Sequence, residues 1–328
     1  MKLTVSAALL AWLVWQSPAA PAESYKHFLA GNPANVSAKG SGGYVLEGGG
    51  TDQPEAFKWL IERAGGGDIV IIRASGADGY NKWILDLGGA DSVETILFND
   101  RSASADPFVL ERLRNAEAVF IAGGDQSRYV NFWKGTPVED ALHALVARGG
   151  PIGGTSAGLA ILGGFGFGAR EGGLTSKEAL ANPFLKAVEL DRDFLELKHL
   201  GNVITDTHFV ERDRLGRLLV FLARIQHDGW SADPRAIAVD RETAVLIEPS
   251  GAAKVVGKNT AYFINTTAAA AVCEPDKPLT LRDVRVYRIA ATSGPASFDV
   301  PRWRGTGGLA YSLDVVNGVV TSSRGDLY

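Results

Sequence analysis

The 328-residue chain has a single cysteine, Cys273. It can make neither an intrachain disulfide nor a cysteine-rich zinc site. Histidine is scarce too: His27, His143, His199, His208 and His227 leave little material for a histidine metal cage. Nor is there an excess of positive charge. Lys and Arg number 33 against 37 Asp and Glu, a net charge of −4. A general nucleic-acid binder presents a basic face, and this balance does not suggest one. No stretch after the first two dozen residues approaches the roughly 20 apolar residues of a membrane span. Internal repeats and low-complexity tracts are missing as well. What the chain does have is 46% hydrophobic residues, enough for a sizeable core, which excludes a disordered or fibrous protein.

The first residues read as a targeting segment. Lys2 supplies a positive start, Leu3 to Trp15 is an uncharged apolar run, and Ala20-Pro21-Ala22 is a small-x-small cleavage pattern before Glu23. Residues 1–22 are therefore expected to be a secretory signal peptide, and the mature protein to be secreted or periplasmic and free of membrane. Cleavage removes one lysine and no acid, taking the net charge from −4 to −5. Without cystines, stability must come from core packing.

Short Val- and Ile-rich runs (Tyr44 to Leu46, Asp68 to Arg73, Val93 to Phe98, Ala118 to Ala122, and Pro151 to Gly154) alternate with amphipathic stretches such as Gln53 to Ala64 and Val138 to Arg148. Alternation of this kind predicts crossover units on a parallel sheet. Near-continuous apolar runs suit strands covered on both faces. Residues 23–248 are thus expected to form one doubly wound, mostly parallel α/β domain. Residues 249–328 alternate short segments (Ala261 to Ile264, Val284 to Ile289, Val315 to Thr321) with Gly, Ser and Thr turns, and are expected to be a β-rich extension packed on that domain.

Three local patterns carry chemistry. The first is Gly154-Thr155-Ser156-Ala157-Gly158, between an apolar run and the apolar stretch Leu159 to Leu162. A serine on such a strand–turn–helix junction is lifted out of the sheet in a strained conformation. The N–H of Ala157 would then face a forming oxyanion at the positive end of the next helix. The second is Gly123-Gly124-Asp125-Gln126, directly after a strand. Ligands bind beyond the carboxyl ends of parallel strands, so Gly124 could offer a second oxyanion N–H and Gln126 a substrate hydrogen bond. The same residues also read as an ordinary turn capped by Asp125. The third runs from Asp206-Thr207-His208 to Arg217. Arg212 lies one helical turn past His208, and Arg214 and Arg217 are three apart. This is either a solvated charged helix or a pocket for carboxylates, which arginine forks match bidentately. His208 and Glu211 could meet across a helical turn, but the rest of a metal-ligand set is missing. Neither a metal nor a cofactor is expected.

Together, GGDQ, GTSAG and DTHFxxRxRxGR resemble the cyanophycinase branch of the serine peptidase family that also contains dipeptidase E, over roughly residues 42–248. The resemblance implies a fold similar to class I glutamine amidotransferases, with serine in place of cysteine, and makes a homodimer plausible. Cyanophycinases cleave a poly-aspartate carrying arginine on its side-chain carboxyls to β-Asp-Arg dipeptides. Dipeptidase E removes N-terminal Asp. By position, the nucleophile falls on Ser156 and the base on His208. The substrate pocket falls on Gln126, Asp206, Thr207, Arg212, Arg214 and Arg217.

Two positions depart from the family pattern. Thr207 stands where Gln precedes the histidine, and Arg241 stands where Asp-Glu-x-Thr-Ala places the acid that orients it. Arginine cannot balance an imidazolium. Glu242 is the expected replacement, with Glu171, fifteen residues past Ser156, as its rival. The expected function is an exported serine hydrolase cleaving amide bonds of aspartyl peptides, cyanophycin-like substrates among them. The alternative is a catalytically silent exported binding protein on the same scaffold, for which Arg241 is the main support. An α/β-hydrolase esterase fits less well, because its histidine normally comes late in the chain.

Overall fold

The five Val- and Ile-rich runs between Tyr44 and Gly154 each become a strand, within a residue or two. The computed structural model describes residues 23–328; the expected signal peptide, residues 1–22, lies outside the described residues. The strands are Tyr44–Glu47, Asp68–Arg73, Ser92–Phe98, Ala118–Ile121 and Ile152–Thr155. They pair in parallel in the order 92–98, 68–73, 118–121, 152–155, 44–47. Along Asp68–Arg73 successive side chains face opposite ways. Ile69 and Ile71 pack with Phe57, Leu60 and Ile84 of helices Pro54–Ala64 and Gly79–Asp86. Val70 and Ile72 pack with Val109, Trp133 and Leu145 of helices Pro107–Asn115, Gln126–Trp133 and Pro137–Ala147. The sheet is therefore covered on both faces, as continuous apolar strands require.

The expectation of a mostly parallel sheet holds only for this centre. Among the described residues there are two mixed sheets, of ten and eight strands. The first is extended by antiparallel Tyr25–Gly31 on one side and by Thr243–Ile247 and its neighbours on the other. The second is parallel only where Val203–Asp206 meets Phe165–Phe167 and Arg235–Val239. The strands after residue 248 do not form a sheet of their own. Ala252–Gly257 joins the first sheet, whereas Thr260–Asn265, Leu281–Ala290, Leu309–Val316 and Val319–Ser322 complete the second.

Two expected elements change form. Val315 to Thr321 is a hairpin, not one segment: Asn317 and Gly318 turn the chain at φ 51° and 77°, the left-handed pair that suits the twist of a two-residue hairpin. The expected helix after Ser156 is a single 3-10 turn, Leu159–Ile161. Gly163 and Gly164 stop it, where any Cβ would meet the carbonyls of Val203 and Gly201. Among the described residues, no helix is long and apolar enough to cross a membrane.

Candidate active site

Ser156 follows strand Ile152–Thr155, and Gly123-Gly124 follows its parallel neighbour Ala118–Ile121, so the two loops share one sheet edge. Ser156 has φ 52°, a left-handed conformation that costs a non-glycine residue about 1–2 kcal/mol. The flanking glycines make the bend sterically feasible. A Cβ on Gly154 would lie 2.6 Å from the backbone of Gly158, and one on Gly158 would lie 2.0 Å from the carbonyl of Ile121. The turn is held by the Ser156 N–H, which donates to Glu47 O at 3.1 Å.

The histidine arrives from the second sheet. Strand Val203–Asp206 ends at Asp206, and His208 turns back at φ 45° with its N–H donating to Gly48 O at 2.8 Å. Its Nε2 lies 2.9 Å from Ser156 Oγ. Gly49 passes so close that a Cβ there would stand 2.3 Å from Nε2. The glycine run after Tyr44–Glu47 is thus a wall of the site, a role that the sequence reading did not assign it. Beneath the run, the Glu47 carboxyl accepts the Gln53 N–H at 3.0 Å. Burial, with Asp52 alongside, pushes this carboxyl well above its usual range.

The acid that meets His208 is Glu211. Its Oε2 lies 3.0 Å from Nδ1, giving a Ser156–His208–Glu211 chain with the base contacting both neighbours within hydrogen-bond reach. This corrects both expected partners. Glu242, at φ 53°, turns its carboxylate to Lys258 at 3.2 Å. Glu171 pairs with Lys186 at 2.7 Å. Burial lowers the His208 pKa, and Arg212 and Arg214 push the same way. The Glu211 carboxylate opposes them. A neutral imidazole is what a general base needs.

The expected oxyanion donors lie beside the serine. The N–H groups of Ala157 and Gly124 take part in no backbone hydrogen bond among the described residues, and a Cβ on Gly123 would touch Ser156 Cβ at 3.5 Å. Tyr129 pins the Gly123-Gly124 loop by donating to Ala122 O or Gly123 O, each at 2.9 Å. The three-residue 3-10 turn is too short to supply the helix dipole expected behind Ala157, so stabilisation would fall to the N–H groups themselves.

The substrate residues divide. Gln126 opens its helix, half-buried, with Nε2 3.5 Å from Phe167 O. Asp125 caps that helix through the Ser127 N–H at 2.9 Å, so the loop is both a turn and a site wall. Arg212 is exposed and enters no ion pair among the described residues. Asp206, Thr207, Arg214 and Arg217 are a different matter. Arg217 forks onto Asp206, Nε to Oδ2 at 2.9 Å and an Nη to Oδ1 at 2.5 Å, and its guanidinium lies over the Phe167 ring. Arg214 donates to the carbonyl and hydroxyl of Thr207 at 2.8 and 2.9 Å. Asp206, Thr207 and Arg217 are each 4% exposed or less. These four side chains satisfy one another below the surface. The expected three-arginine carboxylate pocket is reduced to Arg212. Among the described residues, no group of three or more His, Cys, Asp or Glu could hold a metal ion.

Residues 85–179, which include Ser156 but not His208 or Glu211, match the model of peptidase family S51. The cyanophycinase of Trichormus variabilis is 29% identical over 210 residues, 62% of this chain and 65% of the relative's length. That of Synechococcus elongatus is 29% identical over 265 residues, 76% of this chain and 77% of the relative. The chain thus spans about two thirds of the first relative and somewhat more of the second. A crystal structure of a peptidase from an acI-B1 Actinobacterium superposes with TM-score 0.50 at 18% identity, covering 72% of this chain and 98% of that one, a likeness of fold. With the order of its three motifs, these matches make the chain similar to the cyanophycinase- and dipeptidase E-like proteins of peptidase family S51.

Proposed function

We propose that the protein is an exported serine peptidase that cleaves amide bonds next to aspartyl residues. The observation that carries this reading is the Ser156–His208–Glu211 chain on a strained turn. His208 Nε2 takes the Ser156 proton as Oγ attacks the amide carbonyl. Glu211 fixes the imidazole tautomer and balances the imidazolium. The N–H groups of Ala157 and Gly124 receive the oxyanion. His208 then returns the proton to the leaving amine, and water releases the acyl group by the same route. Arg212, the uncommitted guanidinium near His208, binds a substrate carboxylate, and Gln126 offers a substrate hydrogen bond. Export rests on the apolar run and small-x-small pattern of residues 1–22.

Mass spectrometry of products from cyanophycin and from a panel of α- and β-aspartyl peptides tests the substrate. Release of aspartyl fragments is expected. Turnover of peptides lacking Asp at an equal rate would overturn the aspartyl assignment. The silent binding-protein reading stood on the missing acid, and Glu211 removes that support.

The acid assignment has its own test. Glu211→Gln should lower kcat by several orders of magnitude, as loss of a triad acid does, whereas Glu242→Gln should leave it within about twofold because its partner is Lys258. The pH profile adds a sign. Glu211 raises the His208 pKa, so removing its charge lets that pKa fall further. The acid limb of kcat/KM, where His208 must be neutral, should move to lower pH in the residual activity. A limb that moves upward, or a larger loss from Glu242→Gln, would reject Glu211.

A further inference from the structure

Arg241, one of the two residues that depart from the family pattern, sits against the acid that replaces the missing one. Arg241 Nη1 lies 3.5 Å from Glu211 Oε1, the oxygen not turned to His208. The Arg241 backbone is fixed where the chain passes from the second sheet to the first, between strands Arg235–Val239 and Thr243–Ile247. Its carbonyl accepts from Asn259 Nδ2 at 2.8 Å and from Thr243 Oγ1 at 3.2 Å. The left-handed Glu242 beside it, whose N–H donates to Gly49 O at 2.7 Å, turns its own carboxylate away and leaves Arg241 facing Glu211. The stem of Arg241 lies along Gly50, where a Cβ would meet its Cβ at 3.3 Å. Glu211 needs such a hold. Its side chain is 37% exposed, and a flexible glutamate in water loses rotamer entropy when held in one contact.

We propose that Arg241 is a positioning residue, which clamps the outer oxygen of Glu211 so that the inner oxygen stays on His208 Nδ1. The idea rests on the Ser–His–Glu reading above but makes a claim that can be checked without turnover. The charged groups around His208 are Glu211 and Arg212 on its own turn, Arg214 just beyond, and Arg241 from the crossing turn. Loss of a nearby cation alone would raise the His208 pKa. Loss of a clamp on its carboxylate would lower it. The two roles therefore predict opposite signs.

The experiment titrates His208 by NMR in protein labelled at histidine nitrogen, for the parent, Arg241→Ala, Arg241→Lys, Glu211→Gln and the double variant Arg241→Ala/Glu211→Gln. Arg241→Ala should lower the His208 pKa in the parent, Arg241→Lys should restore part of the shift, and in the Glu211→Gln background Arg241→Ala should raise it or leave it unmoved. In kinetics, Arg241→Ala should cut kcat roughly tenfold with KM within about twofold, and the loss should vanish when Glu211 is already Gln, the mark of residues acting as a unit. A raised His208 pKa in Arg241→Ala, equal shifts in both backgrounds, or a rise in KM with kcat unchanged would overturn the clamp. If no peptide is hydrolysed at all, the peptidase reading fails while the NMR titration still decides the role of Arg241.

Discussion

Replacing Ser156 with Ala should abolish hydrolysis, with a loss on the order of a millionfold in kcat, and leave the melting temperature within a degree or two. The kinetic half follows from the 2.9 Å contact between Ser156 Oγ and His208 Nε2. The thermal half follows from the backbone, since Ala in a left-handed turn is as strained as Ser. Ser156→Gly separates the two. It is equally inactive but should gain about 1 kcal/mol of stability, because only glycine adopts φ 52° without a Cβ penalty. A Ser156→Ala protein that keeps near-full turnover would end the serine mechanism. A glycine variant no more stable than the alanine one would show that the turn stores no strain.

Arg217→Ala should unfold the protein more readily, not starve it of substrate. Its guanidinium is the bidentate partner of Asp206, a carboxylate 2% exposed. Removing it leaves that buried carboxylate with only the longer Arg214 contact at 3.3 Å, and loss of one member of a buried pair costs up to about 3–5 kcal/mol, a large fraction of the stability of a typical domain. Denaturant titration with activity measured on the folded fraction gives the answer. A lower midpoint with near-normal KM is expected. An unchanged midpoint with a raised KM would restore Arg217 to the substrate pocket. Arg212→Ala is the contrasting variant: exposed and without an ion pair, it should raise KM and leave the midpoint unmoved.

The parts of this molecule that local rules govern were legible in the sequence. The strands Asp68–Arg73 and Ala118–Ile121 announce themselves as apolar runs, and the glycines around Ser156 mark a bend that only small residues allow. The pair His208 and Glu211 was visible as a three-residue spacing. What could not be read was which carboxylate the fold would bring to the imidazole. The direction of Glu242 depends on a left-handed turn between two sheets, and a one-residue shift there exchanges one face for the other. The arginines show the same limit. Their spacing suggests a basic face, but whether it looks outward depends on Asp206, eight and eleven residues away at the end of a buried strand. The second sheet was hidden for a related reason: antiparallel partners such as Thr260–Asn265 and Arg235–Val239 are set by long-range pairing, not by any local period.

The serine stands on one sheet and the histidine and its acid on the other, joined at the carbonyl of Gly48. Half of the histidine's sheet, four strands of eight, comes from the chain beyond Gly257. A cut there would leave the nucleophile's parallel core whole but strip Arg235–Val239 of its neighbour and turn it into an open edge, a surface that invites wrong partners. The strands beyond Gly257 are therefore no ornament on a finished domain. They are the abutment on which the His208 side of the Ser156–His208 span rests, and shortening the chain for convenience would take down the span while the tower that bears Ser156 still stood.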